Sequence, residues 1–255
     1  MFLIVSLLTA FPSYGSSVRV VPTIIFLNGA RKTDVLKVIN DGDNKIALQV
    51  EAVRWTQGKG GKDMYEPTDE IVFFPKIFTI EKGRETLLRI GAKAPRSGAS
   101  EGSYRIFLQE IPVSRPGDSR LTIALSLSIP VFISPAKAER EWSIDGVRLS
   151  RGGLLIDINN SGNSHIVVGK MKAIGTDISN KEVFQKESVG WYVLPGATRT
   201  FQIGLSPGEC TQMGSVTVTA EVGEVKKEMK TDINTTLCGK GPGGGTSTGK
   251  HERRQ

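Results

Sequence analysis

Leu121 to Pro135 reads LTIALSLSIPVFISP. Leu121, Ile123, Leu125, Leu127, Ile129, Val131 and Ile133 are large and apolar, and Thr122, Ala124, Ser126 and Ser128 between them are small or polar. Strand side chains alternate between two faces, so this two-residue period predicts one strand with a continuous aliphatic face. Strands in globular proteins usually stop at about 5 or 6 residues. A run this long needs either a core deep enough to take every aliphatic side chain or a second use for some of them.

Outward from this strand, shorter runs of the same kind alternate with turn signals. VRVVPTIIFL meets Asn28-Gly29, DVLKVIN ends at Asn40-Asp41-Gly42, and KIALQVEAVRW breaks at Gly58-Lys59-Gly60-Gly61. IVFFPKIFTI, TLLRIGA and SYRIFLQEIP lead into the long strand. Seven strands without helical periodicity predict an immunoglobulin-like β-sandwich over residues 18–135, with Trp55 as a core aromatic. After SPAKAEREW (Ser134 to Trp142) the pattern restarts, which predicts a second β domain over 136–238, again without a helix. The fold class is therefore all-β, with two immunoglobulin-like sandwiches. Residues 239–255, GKGPGGGTSTGKHERRQ, are too polar and Gly-rich to bury a core, so a disordered tail is expected.

The apolar run Phe2 to Phe11 falls short of the ~20 residues that cross a bilayer. With Ser13, Gly15, Ser16 and Ser17 behind it, residues 1–17 read as a secretory signal peptide, although no Lys or Arg precedes the run. A buried N-terminal strand is the alternative. No other stretch is long and apolar enough to span a membrane, so a soluble exported protein is expected. Two cysteines in an exported chain, Cys210 and Cys238, suggest one disulfide, with two free buried thiols as the alternative. Such a bridge closes a loop of about 29 residues and stabilises by roughly 3–4 kcal/mol on the chain-entropy model.

The net charge of +7 does not point to nucleic acid, because the basic residues are scattered and aromatics are only 7%. It suits acidic partners or solubility. GGTSTGKH (Gly244 to His251) nearly matches a phosphate-binding loop, but His251 stands where a magnesium-binding hydroxyl belongs, and no helix can follow. GASEG (Gly98 to Gly102) matches a nucleophile elbow around Ser100, yet a strand follows it where that motif needs a helix. Two Cys and two His at unrelated spacings make no zinc pattern. His165 reads as a surface or half-buried strand residue, and Asp69-Glu70 beside Pro67 as a solvated turn. No enzyme, metal or cofactor is expected.

VVPTIIFL, VRWTQ (Val53 to Gln57), EPTDEIVFFPKIFTIEKGRETLLRIG (Glu66 to Gly91), SYRIFLQEIP, LTIALSLSIPVFISP and WYVLPGATRTF (Trp191 to Phe201) occur in that order. Together they resemble the PapD-like periplasmic chaperones of the chaperone–usher pilus pathway. The RWTQ, EPTD and PVF variants look like the archaic or alternative branch, which serves spore-coat-protein-U-like subunits. The resemblance implies two sandwiches arranged as a boomerang, a periplasmic location, and pilus subunits and an outer-membrane usher as partners. It implies no ATP and no membrane insertion. It also implies that the long strand is lent to a subunit lacking its own last strand. Donor-strand complementation of this kind is an established mode of strand addition. Leu121, Ile123, Leu125 and Leu127 are then the donor side chains, while Ile129, Val131 and Ile133 stay in this protein's own core. The bland alternative puts all seven in that core. An exposed donor edge invites aggregation, so the free chaperone is expected to self-associate or to fold Val113–Arg120 over it.

The better-known branch grips the subunit's C-terminal carboxylate with an Arg on the first strand and a Lys on the last. Here those positions fall at or next to Thr23 and at Pro130. Neither carries a charge, so those roles do not transfer. Pro130 is also expected to cost the strand a ladder bond. Arg89 and Arg105 are the candidate replacements, with ordinary solvent-facing arginines as the alternative. The competing functional readings are a structural pilus subunit or adhesin, which should carry its alternating segment as an N-terminal extension, and a hydrolase built on Ser100.

Overall fold

The computed structural model describes residues 17–93, 99–112, 124–150, 153–235 and 238. Residues 1–16 of the expected signal peptide, the 113–120 loop, Leu121, Ile123 and the Gly-rich tail with its phosphate-loop near-match lie outside the described residues. The chain divides into two compact units, Met1–Thr56 with Met64–Ala138 and Gln57–Asp63 with Glu139–Gln255.

The first unit contains β1 (Val18–Val21), β2 (Ile25–Leu27), β3 (Thr33–Asn40), β4 (Ile46–Gln57), β5 (Asp63–Pro67), β6 (Ile71–Phe74), β7 (Ile77–Ile80), β8 (Glu85–Ala92), β9 (Gly102–Glu110) and β10 (Ser126–Ile133). Two runs that read as single strands are each split at a proline. Pro22 separates β1 from β2, and Pro75 separates β6 from β7, because proline cannot donate to a ladder. The split lets the chain change sheets. β1 joins the sheet β1-β3-β8-β6, while β2 runs parallel to β10 in the sheet β2-β10-β9-β4-β5, where β7 also pairs with β4. Leu36, Val38, Leu88 and Ile90 from the first sheet meet Leu48, Ile106, Leu108, Ile129 and Val131 from the second, all buried.

Trp55 does not join this core. It is 1% exposed, but β4 buries Leu48, Val50 and Ala52 in the core, and an odd-numbered residue then points to the other face. There it lies 6.0 Å from the ring of Phe132, which stacks on Phe26 at 5.8 Å. β5 was not anticipated, since DMYEP lacks alternation.

The second unit contains β11 (Trp142–Ser150), β12 (Gly153–Asn160), β13 (Ile166–Thr176), β14 (Glu182–Val189), β15 (Tyr192–Val193), β16 (Thr198–Gly204), α1 (Pro207–Gln212), β17 (Ser215–Val222) and β18 (Val225–Asp232). Its sheets run β11-β12-β16 and β14-β13-β17-β18, with β15 on β13. Leu154, Ile156, Ile158, Met171, Val216 and Val218 fill its centre. Residues 57–63 belong to this unit. The Gln57 amide donates to Tyr192 O (3.0 Å) and accepts from Leu194 N (2.9 Å), and Arg199 donates to Gly61 O (2.7 Å).

The short helix α1 corrects the expectation of none. Six residues are too few for periodicity to register, but the caps are legible: Ser206 accepts from Glu209 N, Glu209 accepts from Ser206 N, and Pro207 follows the cap. Cys210 on α1 is disulfide-bonded to Cys238. Glu209 also accepts from Lys186 Nζ at 2.8 Å. That ammonium, with the Ser206 amide, holds the Glu209 carboxyl at about 2 against an ordinary 4.5. A depressed folded-state value stabilises above the unfolded value and is lost as pH falls through the folded one. Thermal unfolding followed from pH 4.5 down to about 2 is therefore expected to lose stability, and Glu209→Gln to flatten that part of the profile.

Each sandwich repeats one polar device. Asn40 and Asn160, both fully buried, end β3 and β12. Asn40 donates to Asn44 O (2.7 Å) and Ile80 O (3.0 Å) and accepts from Gly42 N. Asn160 donates to Ser164 O and Val193 O (both 2.9 Å) and accepts from Gly162 N. Each amide ties its own turn to a neighbouring strand. Asn160→Ala removes the donor that serves Ser164 O and Val193 O, while Gly162 N keeps its bond to Glu141 O, so a loss of about 2 kcal/mol is expected in denaturant unfolding.

Candidate functional site

β10 pairs with β9 along its whole length, Ser126 opposite Gln109 through Ile133 opposite Gly102, without a register break. On its other side β2 covers only Val131 to Ile133. Among the described residues, the edge from Ser126 to Pro130 is therefore open. Glu110 N donates to Leu125 O at 2.8 Å. Antiparallel hydrogen bonding alternates, so Leu125, Leu127 and Ile129 direct their amides to β9, and Ser126, Ser128 and Pro130 face the open edge. Pro130 thus costs no bond to β9, contrary to expectation. Its missing donor lies on the side away from β9, where the parallel partner β2 begins at the next residue.

Burial along β10 is graded. Ile129 is 2% exposed, Val131 0% and Ile133 5%, and all three belong to the core. Leu127 is half-buried and packs on the edge of that core, and Leu125 is half-buried beyond it. The aliphatic row therefore leaves the core as it runs back towards its N-terminal end.

Arg105 on β9 is the direct cross-strand partner of Pro130. It stands on the outer face, 4% exposed, with its guanidinium 3.9 Å above the Trp55 ring and Nη1 donating to Ser128 Oγ at 3.3 Å. Arg89 lies on β8 in the other sheet, exposed, opposite Val35 and Phe74. The two arginines are candidates because each lies in a strand beside the matched motifs, but the fold sets them on outward faces of different sheets and brings only Arg105 beside β10. Thr23 is exposed in the bend between β1 and β2.

Other singled-out residues take structural places. Glu70 is half-buried, not a plain solvated carboxylate: Arg54 pairs with it, and Tyr104 donates its hydroxyl to it. Asp69 is exposed and pairs with Lys93, which lowers its carboxyl pKa. His165 is 8% exposed, more buried than expected, and lies 5.7 Å from Tyr192. Ser100 is exposed in a bend that leads into strand β9, not into a helix. No helix among the described residues is long and apolar enough to cross a membrane.

Residues 17–139, the whole described span of the first sandwich, match the family model described as "Pili and flagellar-assembly chaperone, PapD N-terminal domain". No curated protein matches the chain. Among solved structures, the fold resembles the chaperone–tip adhesion subunit pre-assembly complex CsuC–CsuE from archaic chaperone–usher Csu pili of Acinetobacter baumannii. That match has a TM-score of 0.58 at 20% identity and covers 85% of this chain and 98% of that one. It also resembles the YadV chaperone (TM-score 0.56, 13% identity, 84% and 99% covered) and the Pseudomonas aeruginosa CupB2 chaperone (0.51, 14%, 84% and 100%). At these identities the structural likeness speaks for the fold, and the family match speaks for the lineage. With two all-β sandwiches and a first unit that matches the family model over residues 17–139, the chain carries a PapD-type chaperone N-terminal domain within the fold of the solved pilus chaperones.

Proposed function

We propose that the protein is a periplasmic chaperone that binds pilus subunits by donating β10 as their missing strand and hands them to an outer-membrane usher. The observation that carries this reading is the open edge of β10 from Ser126 to Pro130, continuous with an aliphatic row that leaves the core at Leu127. A subunit strand laid there gains main-chain hydrogen bonds from Ser126 and Ser128, while Leu125 and Leu127, and Leu121 and Ile123 beyond them, fill its groove. Arg105 serves as the anchor for the subunit's C-terminal carboxylate, because it stands directly across from Pro130 and compensates on β9 for the charge that β10 lacks. The fit to subunit-bearing relatives is consistent: the CsuC–CsuE structure is named for a chaperone and a tip subunit.

The test is co-expression with a strand-deficient pilus subunit, followed by native mass and sizing. A soluble one-to-one heterocomplex that transfers its subunit to the usher's periplasmic domain is the expected result. Self-polymerisation of this chain would support the structural-subunit reading instead.

A further inference from the structure

The ladder between β9 and β10 ends in an unusual rung. Ser126 lies opposite Gln109, so Leu125 falls opposite Glu110, the last residue of β9. Glu110 N donates to Leu125 O at 2.8 Å, and Leu125 N donates to Oε2 of the Glu110 carboxylate at 3.2 Å. A side chain thus takes the amide that a backbone carbonyl takes in an ordinary antiparallel pair. The rung is also the last that this side of the ladder can supply. Ile111 N turns to Ala47 O on β4, so by alternation the next N–H due to β10 is that of residue 112, and Pro112 has none.

We infer that Glu110 is a positioning residue for subunit binding: its carboxylate orients the Ala124–Leu125 peptide so that the Ala124 carbonyl becomes an additional acceptor on the open edge. The inference rests on the donor-strand reading of β10 and deepens it. A trans peptide points its C=O and its N–H in opposite directions. Held at Leu125 N by the carboxylate, the Ala124–Leu125 peptide turns the Ala124 carbonyl away from β9. Held at Leu125 O by Glu110 N, the following peptide turns Ser126 N–H the same way. Two consecutive peptide planes are fixed from one residue, and Ala124 is exposed, so its carbonyl extends the row of groups that Ser126 and Ser128 present. Without the carboxylate the first of these planes is untethered on the β9 side. A subunit strand then has to order it on arrival, and that conformational entropy is lost from affinity. Glu110 itself touches no subunit atom in this scheme and acts through the Leu125 amide.

Titration calorimetry against a strand-deficient subunit, with amide hydrogen exchange and a thermal melt of each free variant, tests it. Glu110→Ala is expected to raise the dissociation constant roughly five- to tenfold and to speed exchange at Leu125 N–H, with the melting temperature of the free chain unchanged. Glu110→Gln keeps an acceptor oxygen without the charge, so it is expected to recover most of both losses. Leu125→Asp is the control for the donor strand itself. If Glu110→Ala binds like the parent while Leu125→Asp does not, the role of Glu110 is overturned and the donor-strand reading stands. If both bind like the parent, that reading falls and the inference with it. A Glu110→Gln as weak as Glu110→Ala also overturns the assignment, because the charge and not the bond to Leu125 would then matter. So does a loss of affinity accompanied by a lower melting temperature and unaltered exchange at Leu125, which places Glu110 in the fold alone.

Discussion

Leu125→Asp is expected to weaken subunit binding by about ten- to a hundredfold while leaving the chaperone's own melting temperature unchanged. Leu125 is half-buried and lies beyond the row that packs on the first core, so the free protein loses little when it goes. In the complex it would sit wholly inside the subunit's groove. Completing the burial of a leucine contributes about 1.5–3 kcal/mol at most, and each 1.4 kcal/mol is a factor of ten. An aspartate there adds an unpaired charge to the loss. Leu127→Asp should damage both partners, because Leu127 already packs against the chaperone's core. The comparison between the two separates lent from retained side chains. Titration calorimetry against a strand-deficient subunit, with a thermal melt of each free variant, reads both quantities. Equal affinity of Leu125→Asp and the parent would end the donor-strand proposal.

Arg105 calls for a cycle of changes in both partners. Arg105→Ala removes the guanidinium from the Trp55 ring, so a drop in the free protein's stability is expected whatever else it does. The informative quantity is the coupling to the subunit's C-terminal carboxylate. Hydrogen bonds to charged groups contribute about 1.5–3 kcal/mol. Masking the carboxylate as an amide is therefore expected to cost the parent roughly ten- to a hundredfold in affinity and to cost Arg105→Ala almost nothing. Arg105→Lys should restore little, because a single ammonium cannot reproduce a two-pronged grip. Arg89→Ala, on the other sheet, is expected to leave the coupling intact. Additive losses from Arg105→Ala and amidation would remove Arg105 from the anchor role.

Much of the fold was legible without coordinates. Alternation found the long strands, the Asn-Gly and Asn-Ser-Gly turns marked their ends, and restarting of the pattern after Trp142 separated two sandwiches. Ile129, Val131 and Ile133 were placed in the core by position in the row, and they lie there. Trp55 is buried as expected, but its parity within β4 sets it on the face opposite the aliphatic core. The prolines at 22 and 75 were read through, although each removes the donor that a continuous ladder needs. α1 fell below the length at which a period can be seen, and only its Ser-Pro-Gly-Glu cap announces it.

The chain by itself determined which residues share a face, because strand alternation is a local property of neighbouring side chains. It determined the turns and the absence of charge at Thr23 and Pro130 for the same reason. Only the tertiary structure decided which strands are neighbours. Pairing joins residues far apart in sequence, so nothing local tells that β9 brings Arg105 opposite Pro130 while β8 carries Arg89 to the other sheet, or that β2 stops at Val131 and leaves β10 open. An open edge is defined by a strand that is missing, and that is set by the packing of the whole unit.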